Sequence, residues 1–321
     1  MGISAKKFRN DLKKSGIFYT DQALAEEIKA LLPDDITEVY DPTCGDGSLL
    51  RVFDDDVKKY GQDILAEQVE YAREQLENFE GYIGDTLMAP AFEGRKFKAI
   101  VANPPFSVKW DPDALKEDIR FSCAPIMPPA SKADYAFILH ILHFLDDDGI
   151  AAVLNFPGIL YRGQREGKIR EWIIKQNWID KVIHIPGGHF EDTNIATALI
   201  VFRKNKASTD IEFVDTENNI SRIVPFSEIE ENGFNLSVST YVQPEIEKPV
   251  VDPVRLQNEA REQFKKSLQN DLEVDLTVCL LEAGCGKTET AFSFIDYLQE
   301  LQFILSEYIE RTKMGAFHDQ P

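Results

Sequence analysis

Between residues 36 and 204, short apolar runs alternate with longer stretches of helical spacing. EVYDP, KKYGQDI, GYIGD, KAIVANP, GIAAVLNFP, IDKVIHIP and TALIVFRK are short, rich in Val, Ile, Tyr and Phe, and predict strands. LAEQVEYAREQLENF, KADYAFILHILHFL and REGKIREWIIKQN fall between them and predict helices. Strand–helix alternation calls for an α/β fold: a mostly parallel sheet with helices on both faces. Only the loop PGGHFEDTNIA separates the two final strands, too little for a crossover, so the last strand is predicted antiparallel.

The pattern changes near residue 243. QPEIEKPVVDP carries three prolines and reads as a linker. Beyond it, VRLQNEAREQFKKSLQNDLEVDL and TAFSFIDYLQELQFILSEYIERTK are charged, amphipathic and helical in spacing. The chain therefore divides into a domain over 1–245, with 1–20 a basic lead-in, and a helical tail over 246–321 suited to docking a partner. No apolar run approaches the roughly 18 residues of a membrane span. The start, MGISAKKFRNDLKK, has no apolar signal core, so a cytoplasmic location is expected. Gly2 would suit myristoylation, but Lys6 stands where Ser or Thr is needed. Cys44, Cys123, Cys279 and Cys285 show neither zinc nor disulfide spacing, in keeping with a reducing compartment.

Charge complicates the picture. With 55 acids against 35 bases the net charge is −20, a field that repels phosphate. Only the beginning is basic, where Lys6, Lys7, Arg9, Lys13 and Lys14 face Asp11. Either nucleic acid is not the substrate, or a basic partner holds it in place.

Four strand ends carry candidate chemistry. In VYDPTCGDGSLL a strand ends at Asp41, a turn follows with Gly45 and Gly47, and a helix is predicted from Ser48. Such a turn lets the backbone approach a ligand, although alone it is a weak signal. Asp63 ends the second strand about 20 residues on, where doubly wound folds place a carboxylate for ribose hydroxyls. Asp85, in IGDTL, ends the third strand, where it can accept from an adenine amino group. Taken singly, each of these acids is more simply a turn residue; in order along three strands, they point to a nucleotide-like ligand.

The fourth strand runs into Asn103-Pro104-Pro105-Phe106. An exocyclic amine delocalises its lone pair into its ring, and two acceptors for its N–H bonds help to localise it. The Asn103 side-chain oxygen and the Pro104 carbonyl can supply them, Pro105 stiffens the corner, and Phe106 can stack on a flipped-out base. Asn-Pro-Pro is also a common loop former.

FYT (18–20), DPTCGDGS (41–48), GQD (61–63), GDT (84–86) and NPPF (103–106) occur in the order of the amino-group adenine DNA methyltransferases. With ADYAFILHILHFLDDDGIAAVL, GILYRGQREGKIREWII, IDKVIHIPGGHFEDTNIATALIVFRKN and NLSVSTYV, residues 15 to 245 resemble a modification subunit of a type I restriction-modification system. The resemblance implies a class I S-adenosylmethionine-dependent methyltransferase (Rossmann-like) fold that methylates adenine N6 in DNA. It implies that Phe18, Tyr19 and Thr20 cover the cofactor, that Asp41, Thr43, Gly45, Asp46, Gly47 and Ser48 wrap its methionine end, and that Asp63 holds the ribose. Asp85 and Thr86 would take the adenine of the cofactor, and Asn103 to Phe106 the target base. The partners implied are DNA, a DNA-specificity subunit with its own basic surface, and a restriction subunit; no membrane is implied. The family often has Pro where Asp21 stands and Glu where Asp63 stands. It usually carries a helical domain ahead of FYT, so the chain reads as a short form. Two rival readings are a non-catalytic cofactor-binding or regulatory subunit and a protein glutamine-amide methyltransferase.

Other signals carry less. EAGCGKTETA resembles a phosphate-binding loop, but Leu281 stands where Gly or Ala is wanted five residues before Gly286. His140 and His143 lie three apart on an apolar helix and read as packed against the sheet, with no metal expected. DDDV and DDDG read as solvated turns and helix ends.

Overall fold

The computed structural model describes residues 20–187, 196–244, 252–286 and 289–316. Phe18, Tyr19 and the basic lead-in before Thr20 lie outside the described residues. The strands are β1 (Glu38–Asp41), β2 (Lys58–Asp63), β3 (Phe79–Ile83), β4 (Phe97–Ala102), β5 (Leu145–Asn155), β6 (Ile179–Ile185), β7 (Thr197–Arg203), β8 (Ile211–Asp215) and β9 (Ile220–Val224). They form one sheet in the order β3-β2-β1-β4-β5-β7-β6-β8-β9. The ladders from β3 across to β5 are all parallel. β7 runs antiparallel to both of its neighbours.

The first unit's helices are α1 (Gln22–Lys29), α2 (Ala66–Gln75), α3 (Ile119–Ser122), α4 (Asp134–Phe144), α5 (Gln164–Lys175), α6 (Phe226–Glu231) and α7 (Val238–Tyr241). Successive side chains of each strand point to opposite faces of the sheet. Tyr40, Ile100, Ala102, Ala151 and Val153 join one core with residues of α4 and α5. Val39, Ala99, Val101, Ala152 and Leu154 join the other with Leu24, Ala25 and Ile28 of α1 and Val69 and Ala72 of α2. Both faces are thus covered, which is why KAIVA reads as an unbroken apolar run rather than an alternating one. Asp21, where relatives often have Pro, caps α1 by accepting Leu24 N–H at 2.8 Å.

Two expectations need correction. The antiparallel strand is β7, but it is neither last in the chain nor at the sheet edge, because β8 and β9 extend the sheet beyond β6. IEFVD and ISRIV are short, and β9 has exposed positions at its centre, so hydrophobic patterning does not reveal them. The helix expected from Ser48 is a set of turns, in which Gly47 O accepts from Leu50 and Arg51 N–H. DDDG follows the end of α4 as a solvated stretch at the start of β5, where the register jumps from Phe97↔Leu145 to Ala99↔Ile150 and the acids bulge out.

The chain divides into two compact units, Met1–Glu245 and Ile246–Pro321. The second holds α8 (Pro253–Gly284) and α9 (Glu289–Ala316), which touch each other. α8 starts at Asp252, whose Oδ1 accepts Val254 N–H at 2.9 Å, with Pro253 in the first turn. Large apolar side chains of this unit stay exposed, Phe264 and Phe303 at 71% each. Its helices end and begin around the loop-like motif at 282–291, of which 287–288 lie outside the described residues. Among the described residues, no helix is long and apolar enough to cross a membrane.

β2 packs tightest at Gly61, where an added Cβ would lie 2.7 Å from Phe79 Cε2 and 2.9 Å from Cys44 Cβ. Gly61→Ala is expected to lower stability by roughly 1–3 kcal/mol, measured by chemical denaturation.

Candidate functional site

The parallel strands end at one edge of the sheet, and their following loops enclose a cleft of about 570 Å³. It is lined by Thr20, by Asp41, Thr43, Gly45, Asp46 and Ser48 after β1, by Asp63 at the end of β2, and by Asp85 and Thr86 beyond β3. Asn103 and Pro105 line it from the corner after β4. Gly47, Pro104 and Phe106 do not line it. Gly47 (φ +80°) turns the loop, and an added Cβ there would lie 2.6 Å from Leu76 Cδ1, so its task is close packing. Pro104 is buried, and Phe106 is half-buried beside the cleft.

The loop after β1 is held in a shape that exposes its backbone. Asp41 Oδ1 accepts Thr43 N–H at 2.9 Å, and Asp46 Oδ1 accepts Ser48 N–H at 3.0 Å. Gly45 lies at φ +52°, and a Cβ built there meets nothing within 4 Å, so this stretch of chain faces open space. Its N–H donates to Asp63 Oδ2 at 3.0 Å, while Asp63 Oδ1 accepts Leu65 N–H at 2.9 Å. Asp85 Oδ1 accepts Leu87 N–H at 2.9 Å and Met88 N–H at 3.3 Å. Thr86 donates its hydroxyl to Pro42 O at 2.6 Å, tying the loops after β1 and β3 together. Asn103 Nδ2 donates to Thr20 Oγ1 at 3.2 Å, so the corner and the segment before α1 meet over the cleft.

Burial raises the proton affinity of this edge. Asp41 is 1% exposed, and desolvation, opposed by the Thr43 N–H and aided by the Asp63 charge, pushes its pKa up to about 8. Desolvation also raises Asp63, against the Leu65 and Gly45 N–H groups. Cys44 is raised by burial and by the Asp41 and Asp63 charges, so its thiol stays protonated. Near neutral pH the Asp41 carboxyl therefore keeps its proton in the unliganded protein.

Several lining residues lay beyond sequence reasoning. Ile64, 62% exposed, and Met88, 43% exposed, give apolar surface beside Asp63 and Asp85, and Trp110 and Phe137 line the far part. Trp110 is fixed by Nε1–H donating to Pro129 O at 3.0 Å. Apolar residues next to turn acids carry no signal of their own. His140 is fully buried and belongs to the support of the cleft wall. Arg120 Nη1 donates to its Nδ1 at 2.9 Å, so its other nitrogen carries the proton and donates to Tyr40 Oη at 3.1 Å. Burial and the Arg120 charge hold its pKa well down. The same guanidinium donates to Thr86 O at 3.0 Å and Leu87 O at 2.6 Å.

A carboxyl whose folded pKa lies above its unfolded one keeps its proton longer in the native state. Stability then falls as pH rises from about 4 to 8, by at most about 1.4 kcal/mol per pH unit for one group. Unliganded protein should show this loss through Asp41 and, in the same direction, Asp63. Asp41→Asn, which keeps an acceptor for Thr43 N–H, should flatten the dependence in denaturation curves across that window.

The family model described as N-6 DNA methylase matches residues 5–224. The methylase subunit of type I restriction enzyme MpnII from Mycoplasma pneumoniae is 32% identical over 309 residues, covering 76% of this chain and 56% of that protein. The MjaVII methylase subunit from Methanocaldococcus jannaschii is 29% identical over 320 residues, covering 81% and 54%. The chain spans about half the length of these curated relatives. A crystal structure of a type I restriction-modification methyltransferase subunit from Streptococcus thermophilus is 30% identical with a TM-score of 0.66, covering 71% of this chain and 60% of that one. A putative class I S-adenosylmethionine-dependent methyltransferase from Listeria monocytogenes shares the fold at 16% identity and a TM-score of 0.51, covering 67% and 74%. The chain belongs to the N-6 DNA methylase family, among the methylase subunits of type I restriction enzymes.

Proposed function

We propose that this chain transfers a methyl group from S-adenosylmethionine to the N6 amino group of a flipped-out adenine in DNA, as the modification subunit of a type I restriction-modification system. The observation that carries the reading is the meeting of three strand-end acids and the Asn-Pro-Pro-Phe corner around one cleft. The residues present fit the cofactor. Gly45 leaves an open backbone cradle, Asp63 keeps lone pairs for hydroxyls, and Asp85 has a second carboxylate oxygen for an amino group. Ile64 and Met88 offer apolar surface to a purine. When bound, S-adenosylmethionine supplies an electrophilic methyl group on a sulfonium.

The chain's own work is positioning. Asn103 donates its amide N–H to Thr20, which presents the amide oxygen as the acceptor this side chain offers an incoming amine. That oxygen and the Pro104 carbonyl would accept the two N–H bonds of adenine N6, raising electron density on nitrogen without removing a proton beforehand. With its N–H bonds held by Asn103 and Pro104, N6 would face the methyl group that the cofactor supplies, and the surplus proton would pass to solvent after transfer. Phe106 is the aromatic face against which the base would stack.

DNA binding falls to the assembly rather than to this chain alone, since the net charge of −20 opposes it. Residues 1–245 would act as the methyltransferase domain. The exposed apolar side chains of α8 and α9 would dock a DNA-specificity subunit, with a restriction subunit joining the same complex in the cytoplasm.

Asn103→Ala should lower methyl incorporation into DNA by about 100-fold or more, with S-adenosylmethionine affinity by calorimetry nearly unchanged. Full transfer by the variant, or transfer to protein amides instead of DNA, would remove the adenine assignment. Deleting residues 250–321 should abolish capture of the specificity subunit in a pull-down while cofactor binding persists; undiminished capture would rule out the tail as the docking surface.

A further inference from the structure

Ser107 follows the corner directly, and its backbone lies at φ +55°. A residue with a Cβ enters that left-handed region at a cost of about 1 kcal/mol or more, and stays only where its surroundings hold it. Here they are specific. Ser107 N–H donates to Asp134 Oδ1 at 2.8 Å, and its hydroxyl lies 3.4 Å from Oδ2. Arg162 reaches the same group from another element: Nη1 lies 3.2 Å from Asp134 Oδ2, and Nη2 lies 3.3 Å from Ser107 Oγ. One residue further on, Val108 O accepts Ala133 N–H at 2.8 Å, so the chain leaving the corner is docked on the start of α4.

Asp134 is 1% exposed. An acid in the first turn of a helix ordinarily answers the helix dipole from the solvent side. Asp134 instead spends both oxygens on Ser107 and Arg162, and α4 has no side-chain cap. A carboxylate buried this deeply is costly unless it is paired and hydrogen-bonded, and its neighbours Ala133, Tyr135 and Ala136 are core residues that need no charge beside them. Arg162 is itself confined, with Glu166 Oε1 at 3.4 Å and the Phe156 ring centroid at 5.4 Å.

We propose that Asp134 and Arg162 are positioning residues for methyl transfer: they lock Ser107, and so fix the angle at which the Asn103–Phe106 corner leaves the sheet. The inference rests on the methyltransferase reading above. Pro104 and Pro105 stiffen the corner internally, but they leave free the dihedrals of Phe106 and Ser107 that set its tilt. The lock removes that freedom. Two acceptor oxygens placed for one amine need it, because a misplacement of about 1 Å can cost on the order of 100-fold in rate.

The test uses the full chain, bound to its DNA-specificity subunit for the transfer assay, with three readouts. These are amide hydrogen exchange over residues 103–110, S-adenosylmethionine affinity by calorimetry, and methyl incorporation into unmethylated DNA with kcat and KM separated. Asp134→Ala should speed exchange of that peptide about tenfold and lower kcat about 100-fold, with cofactor affinity and KM for DNA unchanged. Asp134→Asn keeps one oxygen for Ser107 N–H and should fall between, a partial rescue. Arg162→Gln leaves the Ser107–Asp134 bonds in place and covers the case in which Asp134→Ala does not fold. Wild-type exchange and kcat in Asp134→Asn and Arg162→Gln would overturn the lock, as would a kcat loss that tracks lost cofactor affinity. Absence of transfer to any DNA by the wild-type chain bound to its specificity subunit would sink the methyltransferase reading instead, and the exchange result would still decide whether Asp134 and Arg162 hold the corner.

Discussion

The parallel ladders from β3 to β5 constrain everything built on them. The inner strands β1, β4 and the second half of β5 are largely buried on both faces, so their polar side chains collect where the strands end. The register pairs Asp41 with Gly61 and Asp63 with Ile83, which brings the ends of β1, β2 and β3 to one edge. Tyr40 pairs with Ile100, which sets the Asn103 corner just beyond the same edge. A slip of one residue would exchange the two faces of β1, moving Val39 and Asp41 together to the side that Tyr40 fills, so the apolar pattern that stabilises the sheet also positions the site.

That edge is held by groups distant in sequence. Arg120, from α3, braces the Thr86–Leu87 wall through its carbonyls and shares a buried network with His140 of α4 and Tyr40 of β1. Thr86 ties back to Pro42, and Thr20 reaches Asn103. Each bond spans loops that would otherwise move independently. In a half-dry cleft such bonds also resist water, and an unpaired partner would be expensive.

Electrostatics divides the labour. The acids of the cleft sit close enough, and deep enough, that Asp41 and Asp63 hold protons more tightly than free carboxyls do. With a net charge of −20 over the whole chain, the wider field opposes the DNA substrate proposed above. The exposed apolar side chains of α8 and α9 are the surface on which the proposed association would rest.

Hydrophobic patterning alone was enough to place β1 to β7 and to separate the helical tail, because burial on two faces leaves long, legible runs of Val, Ile and Phe. It was also enough to set Asp41, Asp63, Asp85 and Asn103 in order, since a turn after a strand must carry its polar residues there. β8 and β9 escaped because half-exposed edge strands have no strong period. The helix after Gly47 did not form because local turn bonds satisfied that loop first. Ile64, Met88, Trp110 and the Ser107–Asp134–Arg162 group were invisible for a different reason. Their meaning lies in contacts across 27 and 55 positions of chain, and one-dimensional spacing cannot encode which turn meets which helix. Only the packed sheet, by bringing β4 and α4 side by side, decided that an acid at a helix start would grip the corner rather than the solvent.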